Sequence, residues 1–141
     1  MQALTTVAVT RPWHWGIAIL SDPSLGGEIP EVVPESRVSA NDKGVVVLIR
    51  HAQDVETLNG DFAWAEASVI VRHWPSAPAI DPDRSVIFEG SISTPTRQLW
   101  IGDADHEVVM TGLTESSTLR VLSAKEDSPS ADRVWVDVWD A

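Results

Sequence analysis

The stretch "RVWVDVWDA" at the end of the chain constrains the fold more than any other. Successive side chains of a β-strand point to opposite faces. Val134, Val136 and Val138 therefore share one face, while Trp135, Asp137 and Trp139 share the other. A helix would scatter both sets, so the segment is legible only as a strand with a valine face turned to a core. "WAEASVIVRHW" alternates in the same way, with Ala65, Ala67, Val69 and Val71 expected inward. Glu66, Ser68 and Arg72 then share the outer face with Trp64 and Trp74. Val86, Phe88 and Ile92 form another expected inward set, with Glu89 and Ser91 outward. In "RPWHWGIAIL" the pattern predicts Trp13, Trp15, Ile17 and Ile19 inward and His14, Gly16 and Ala18 outward. "VVVLI" at 45–49 is apolar on both faces, which marks a central strand.

No long segment carries apolar residues at the three-and-four spacing of a helix. Strands are expected near 4–10, 13–20, 45–51, 64–74, 85–92, 98–101, 107–113, 118–125 and 133–139, separated by Gly, Pro, Asp and Ser clusters. The first two read as one strand bent at Pro12, since proline cannot donate to a central ladder. The predicted fold is all-β, a two-sheet antiparallel β-sandwich of about eight strands. With 141 residues and no true repeat, the chain reads as one domain spanning 1–141. Three irregular regions interrupt it. Residues 21–44, with Pro23, Pro30, Pro34 and Gly26-Gly27, predict a long surface excursion. "WPSAPAIDPDR" at 74–84 predicts an extended connector, and "KEDSPSADR" at 125–133 an acidic loop.

Charge narrows the function classes. A net charge of −11 repels phosphate backbones and anionic lipid, which argues against direct nucleic-acid or membrane binding. The same field steers a basic partner inward. No run approaches the roughly 20 apolar residues of a membrane-spanning helix. The start, "MQALTTVAVTRP", has no basic n-region or apolar h-region, so the expected location is cytoplasmic. Cysteine is absent, which removes thiolate nucleophiles and thiolate metal sites together.

Chemistry-bearing motifs are sparse. There is no GxSxG elbow, P-loop or GxGxxG, and the four histidines (His14, His51, His73 and His106) are scattered, so catalysis and cofactors are not expected. "GDADHEVVM" crowds Asp103, Asp105, His106 and Glu107, but its spacing is that of a polar hairpin turn and not of an EF-hand. The echo of Arg50-His51 and Arg72-His73 would form a site only if two strand ends met, which antiparallel neighbours forbid. The tryptophans carry more. Seven are present beside two Phe and no Tyr. Trp135, Asp137, Trp139, Trp64 and Trp74 are the partner-binding candidates, because they face away from the valines and alanines. Soluble monomers rarely leave a large apolar patch bare. A loop of the same chain, a second copy in a homodimer, or an external partner must cover these rings. Two functions fit: an acidic binding partner of a basic protein, or, as the alternative, a carbohydrate-binding module using an exposed tryptophan platform.

The order of parts resembles the competence-associated nuclease inhibitors of the ComJ type, small acidic bacterial proteins. An early strand is followed by a Pro/Gly-rich excursion and then by apolar strands such as "GVVVLIRHA". "SVIFEGSISTPTRQLWIGDADHEVVMTGL" then gives strand, connector, short strand, polar turn and strand before the final "RVWVDVWDA". The likeness is one of layout over most of the chain and assigns no individual residue a role. It implies an inhibitor or immunity-type protein whose acidic surface engages a nuclease.

Overall fold

The computed structural model describes residues 1–55, 63–126 and 128–141. Asp127, in the acidic 125–133 loop, lies outside them. The strands are β1 (Thr5–Arg11), β2 (Ile17–Ser21), β3 (Val38–Asn41), β4 (Gly44–Leu48), β5 (Ala67–His73), β6 (Arg84–Ser93), β7 (Leu99–Gly102), β8 (Glu107–Met110), β9 (Ser116–Ala124) and β10 (Arg133–Asp140). They form two five-stranded sheets, ordered β1-β5-β10-β9-β6 and β3-β4-β2-β7-β8. One core lies between them. The first sheet supplies Val69, Val71, Val121, Val134, Val136 and Val138, and the second Leu20, Val45, Val47, Leu99 and Ile101. Each sheet thus buries one apolar face against the other, which makes the fold an all-β sandwich.

The expected inward residues of β5 (Ala67, Val69, Val71) and of β10 are buried, and β4 is apolar on both faces as "VVVLI" requires. Other expectations are corrected. Among the described residues there are ten strands where about eight were expected, because the 21–44 region contributes β3 beside β4 and the first two segments are separate strands. The same region opens with a 3-10 turn, Pro23–Glu28, so it is partly ordered and not a plain excursion. The sheets are antiparallel except for one pair: β10 runs parallel to β5. Alternation reports the faces of a strand and is silent about its direction. The residues between His73 and Arg133, folded as β6 to β9, supply the long return that a parallel pair needs.

β1 and β2 are not one bent strand; they lie in different sheets. The crossing also reverses the predicted faces of the second segment. Gly16 adopts φ +66, which L-residues with side chains seldom enter, and the alternation restarts after it. Trp13 is fully buried, but Trp15 is 60% exposed, and Ala18 and Leu20, not Ile17 and Ile19, face the core. A bulge between Val86 and Phe88 produces the second reversal. Val86 is exposed, whereas Ile87 and Phe88 both pack against the core. The two Arg-His pairs stay apart. His51 bridges to Trp13, whose indole reaches Ala67 at the start of β5, while His73 ends that strand.

Asp22 fastens the 21–44 region to the rest. It is fully buried, and its Oδ1 accepts from the Ser24 amide and hydroxyl at 2.8 and 2.7 Å. Its Oδ2 accepts from the Thr96 amide and hydroxyl, both at 2.8 Å. Burial alone would push this carboxyl up, but the bonds from Ser24 and Thr96 outweigh it and hold it below the usual carboxylate range. A folded-state pKa below the unfolded one contributes stability above the unfolded value, about 3.9, and loses it as pH falls through the folded value. Asp22→Asn presents an amide to these donors and should cost about 1–3 kcal/mol at neutral pH. Thermal melts of the two proteins should converge as the pH drops below the ordinary aspartate value. A gap that persists there would show that the carboxylate charge is not what Asp22 contributes.

Candidate binding surface

The register of the first sheet explains why an aspartate stands between two tryptophans. Asp137 lies opposite Arg72 of β5 on one side and Arg120 of β9 on the other. It is 2% exposed, pairs with Arg72 Nη2 at 3.3 Å, and accepts from the Trp74 indole N–H at 2.8 Å. The arginines then cover the rings. Arg84 sits 3.9 Å from the Trp135 ring centre, with Arg133 at 6.0 Å. Arg120 lies 4.8 Å from that of Trp139, and Arg72 lies 5.3 Å from that of Trp74. Each is within cation–π range. Arg120 is itself fixed, with Nε bonded to Glu89 at 2.6 Å and Nη1 donating to the Pro78 carbonyl at 2.8 Å. The 74–84 connector therefore lies over this face, and Ala79, Ile80 and Pro82 wall a cleft with Arg72, Trp74 and Asp137.

Four of the five sequence candidates, Trp74, Trp135, Asp137 and Trp139, thus come together on the outer face of the first sheet. Trp64 does not join them. It lies ahead of β5, 39% exposed, and meets His14 edge-on at 4.8 Å. Of the three covers considered, residues of the same chain supply one here.

A second surface escaped the alternation because the turn from Trp13 to Gly16 interrupts it. Trp15, Ile17, Ile19, Val32, Leu48 and Ala104 line an apolar hollow on the outer face of the second sheet. Ile19 and Ala104 also line an adjoining cleft of about 250 Å³, whose other walls include Ile29, Trp100, Asp103 and Glu107. Among the described residues, neither lining contains a lysine or arginine. Trp15 is held in place, its indole N–H donating to Asp105 Oδ2 at 3.1 Å.

The "GDADHE" segment forms the tight β7–β8 hairpin that borders this cleft. A Cβ on Gly102 would stand 2.1 Å from the His106 carbonyl oxygen, so only glycine fits. Asp103 Oδ1 accepts from the Asp105 and His106 amides at 3.0 and 3.2 Å and from Arg11 Nη1 at 2.9 Å. Its carboxylate thus shapes the turn. Among the described residues, no three His, Cys, Asp or Glu side chains are grouped to hold a metal ion.

No protein-family model matches the chain, and no curated protein matches it. Two solved structures do. ComJ from Bacillus subtilis, an inhibitor of the DNA degrading activity of NucA, is 9% identical and covers 99% of this chain and 98% of its own, with a TM-score of 0.64. The product of crocagin biosynthetic gene J is 11% identical over 96% of this chain and 97% of its own, with a TM-score of 0.57. The chain shares their fold. At these identities about nine in ten aligned side chains differ, so the likeness is one of fold and assigns no role to the residues described above.

The first face carries a direct test. Asp137→Ala leaves Arg72 and the Trp74 indole without their shared acceptor, and should destabilise the fold by about 1–3 kcal/mol. Denaturant titration should record the loss, with a red shift of tryptophan emission as Trp74 loosens. An unchanged midpoint would mean that the aspartate serves something outside the fold.

Proposed function

We propose that the protein is a non-catalytic, acidic inhibitor of a basic protein, of the nuclease class. The observation that carries this reading is the near full-length likeness of its fold to ComJ, an inhibitor of the DNA degrading activity of NucA. Charge supports it. At −11, the chain resembles nucleic acid in sign and is attracted to the basic groove in which a nuclease holds a phosphate backbone.

We place the contact on the second sheet. The rings of Trp74, Trp135 and Trp139 already carry guanidinium groups, which repel a basic partner and occupy ring faces that a sugar would need. The carbohydrate-binding alternative therefore draws no support from that face. Nor is a second copy of the chain required to cover those rings. Among the described residues no guanidinium lies over Trp15, which is exposed and oriented by Asp105. A large ring fixed in its rotamer loses little entropy on binding, which suits a hot spot.

Digestion of plasmid DNA by purified NucA and by a panel of basic DNA nucleases tests the function. Inhibition of at least one nuclease is expected at equimolar protein. The inhibition should weaken at least tenfold between about 0.05 and 0.5 M NaCl, because charge complementarity is screened. No inhibition of any nuclease by tens of micromolar protein would overturn the reading, and inhibition indifferent to salt would overturn its electrostatic basis.

A further inference from the structure

We infer that β1 is the interface of a homodimer, in which it pairs antiparallel with β1 of a second copy and joins the first sheets of both subunits into one. Four strands form the edges of the two sheets: β1 and β6 in one, β3 and β8 in the other. An open edge invites a foreign strand, and folded proteins guard against this with short length, charge, proline or a bulge. β3 and β8 have four residues each, and β8 begins at Glu107. β6 has the bulge between Val86 and Phe88, carries Arg84 and Glu89, and ends with the Ser93 amide bonded to the Asp42 carbonyl. β1 has none of these guards between Thr5 and Thr10. It pairs with β5 over seven residues without a shift of register, and that stretch holds neither charge nor proline. The free side of β1 follows from its neighbours. The Ser68 and Trp74 amides donate to Asp132 and Val138, so the even-numbered residues of β5 point to β10 and the odd-numbered ones to β1. Val7 and Val9, opposite Val71 and Val69, therefore point to β5, which leaves the N–H and C=O of Thr6, Ala8 and Thr10 pointing away from it. All three residues are exposed. Beside them a groove of about 510 Å³ opens between β1 and the side chains of His106 and Val108.

The sequence of the edge says what pairs with it. Residues 6–10 read Thr-Val-Ala-Val-Thr, a palindrome centred on Ala8. A twofold dimer brings the same patch of both subunits together, so that patch must complement itself. Antiparallel pairing about Ala8 sets Ala8 opposite its own copy, Val7 opposite Val9 and Thr6 opposite Thr10. Each outward N–H then meets an outward C=O of the other subunit. The cross-strand pairs match in size and set no like charges against each other. Charge selects this edge as well. Two subunits of −11 repel across most of their surface, and a neutral strand is where they approach at least cost. Leu4, 61% exposed, lies across from Pro12 of the second copy, whose missing N–H ends the ladder. The hollow around Trp15, on the outer face of the other sheet, stays uncovered.

Light scattering after size-exclusion chromatography of the full chain tests the pairing. At about 100 µM, a concentration suited to so small an interface, the mass should be twice the 15.4 kDa of one chain. The dimer should tighten as NaCl rises from about 0.05 to 0.5 M, because salt screens the repulsion between its acidic halves. Inhibition of a nuclease is expected to move the other way. The double variant Thr6→Lys, Thr10→Lys sets lysine against lysine across the twofold axis, and Thr6→Glu, Thr10→Glu sets glutamate against glutamate. Each should be monomeric with unaltered near-UV circular dichroism, since both side chains are exposed. An equimolar mixture of the two should recover the dimer mass. Ala8→Pro deletes an outward N–H and no bond to β5, so it should be monomeric too, and it serves where a charged variant fails to fold. A monomeric unaltered protein at that concentration, or a dimer loosened by salt, would overturn the β1 interface. So would dimers that persist in the variants, or a mixture that stays monomeric. Failure to inhibit any nuclease removes the inhibitor reading and leaves the dimer as measured.

Discussion

The two sheets are joined at the corner made by Trp13. The chain leaves the first sheet at Arg11 and enters the second at Ile17, and Trp13, with no exposed surface, fills the crossing. Its indole N–H donates to the Ala67 carbonyl of β5 at 2.9 Å, and its own carbonyl accepts from Gly16 and Ala52. One residue thus satisfies backbone groups at three places along the chain, Gly16, Ala52 and Ala67. Truncating a buried tryptophan costs about 3–5 kcal/mol, a large share of the stability of a domain this size. At the β3–β4 edge Arg37 makes a second tie, donating to the Leu48 carbonyl and to Ser123 of the opposite sheet.

With the sheets held, their outer faces are free to differ, and they do. The first is closed by its own chain. Arginines from β5, β6 and β9 lie on the tryptophan rings, Asp137 balances two of them in register, and the 74–84 connector crosses above. The second keeps apolar surface open around Trp15 and carries its charge as carboxylates at the β7–β8 turn. A strongly acidic protein that holds four of its eight arginines, Arg72, Arg84, Arg120 and Arg133, on one face leaves less positive charge on the other to oppose a basic partner.

Much of this was legible in the sequence, for a physical reason. Period-two alternation reads burial directly, so the inner faces of β5 and β10, the apolar β4 and the all-β sandwich follow from residue order. The outer tryptophans of β10 and their aspartate were also visible as a set. Alternation fails wherever the backbone leaves the pleat. The turn from Trp13 to Gly16, closed by the Gly16 amide on the Trp13 carbonyl, put Trp15 outward, and the Val86 bulge moved Ile87 into the core. It is silent on strand direction, hence the unforeseen parallel β5–β10 pair, and on which arginine would meet which ring, since that depends on register between distant strands. The cleft beside Trp100 was the least legible part, because Trp100 and Ile29 are brought together only by the closing of the second sheet over the 3-10 turn.

Hydrogen exchange measured on the protein alone and bound to an inhibited nuclease tests the central claim most directly, since it maps the contact without altering a residue. Protection should fall on residues 15–19, 26–32 and 100–107, with β10 and the 74–84 connector exchanging as in the free protein. Protection confined to 74–84 and 133–140 would contradict the account, and would return the capped tryptophans of the first sheet to the role of binding surface.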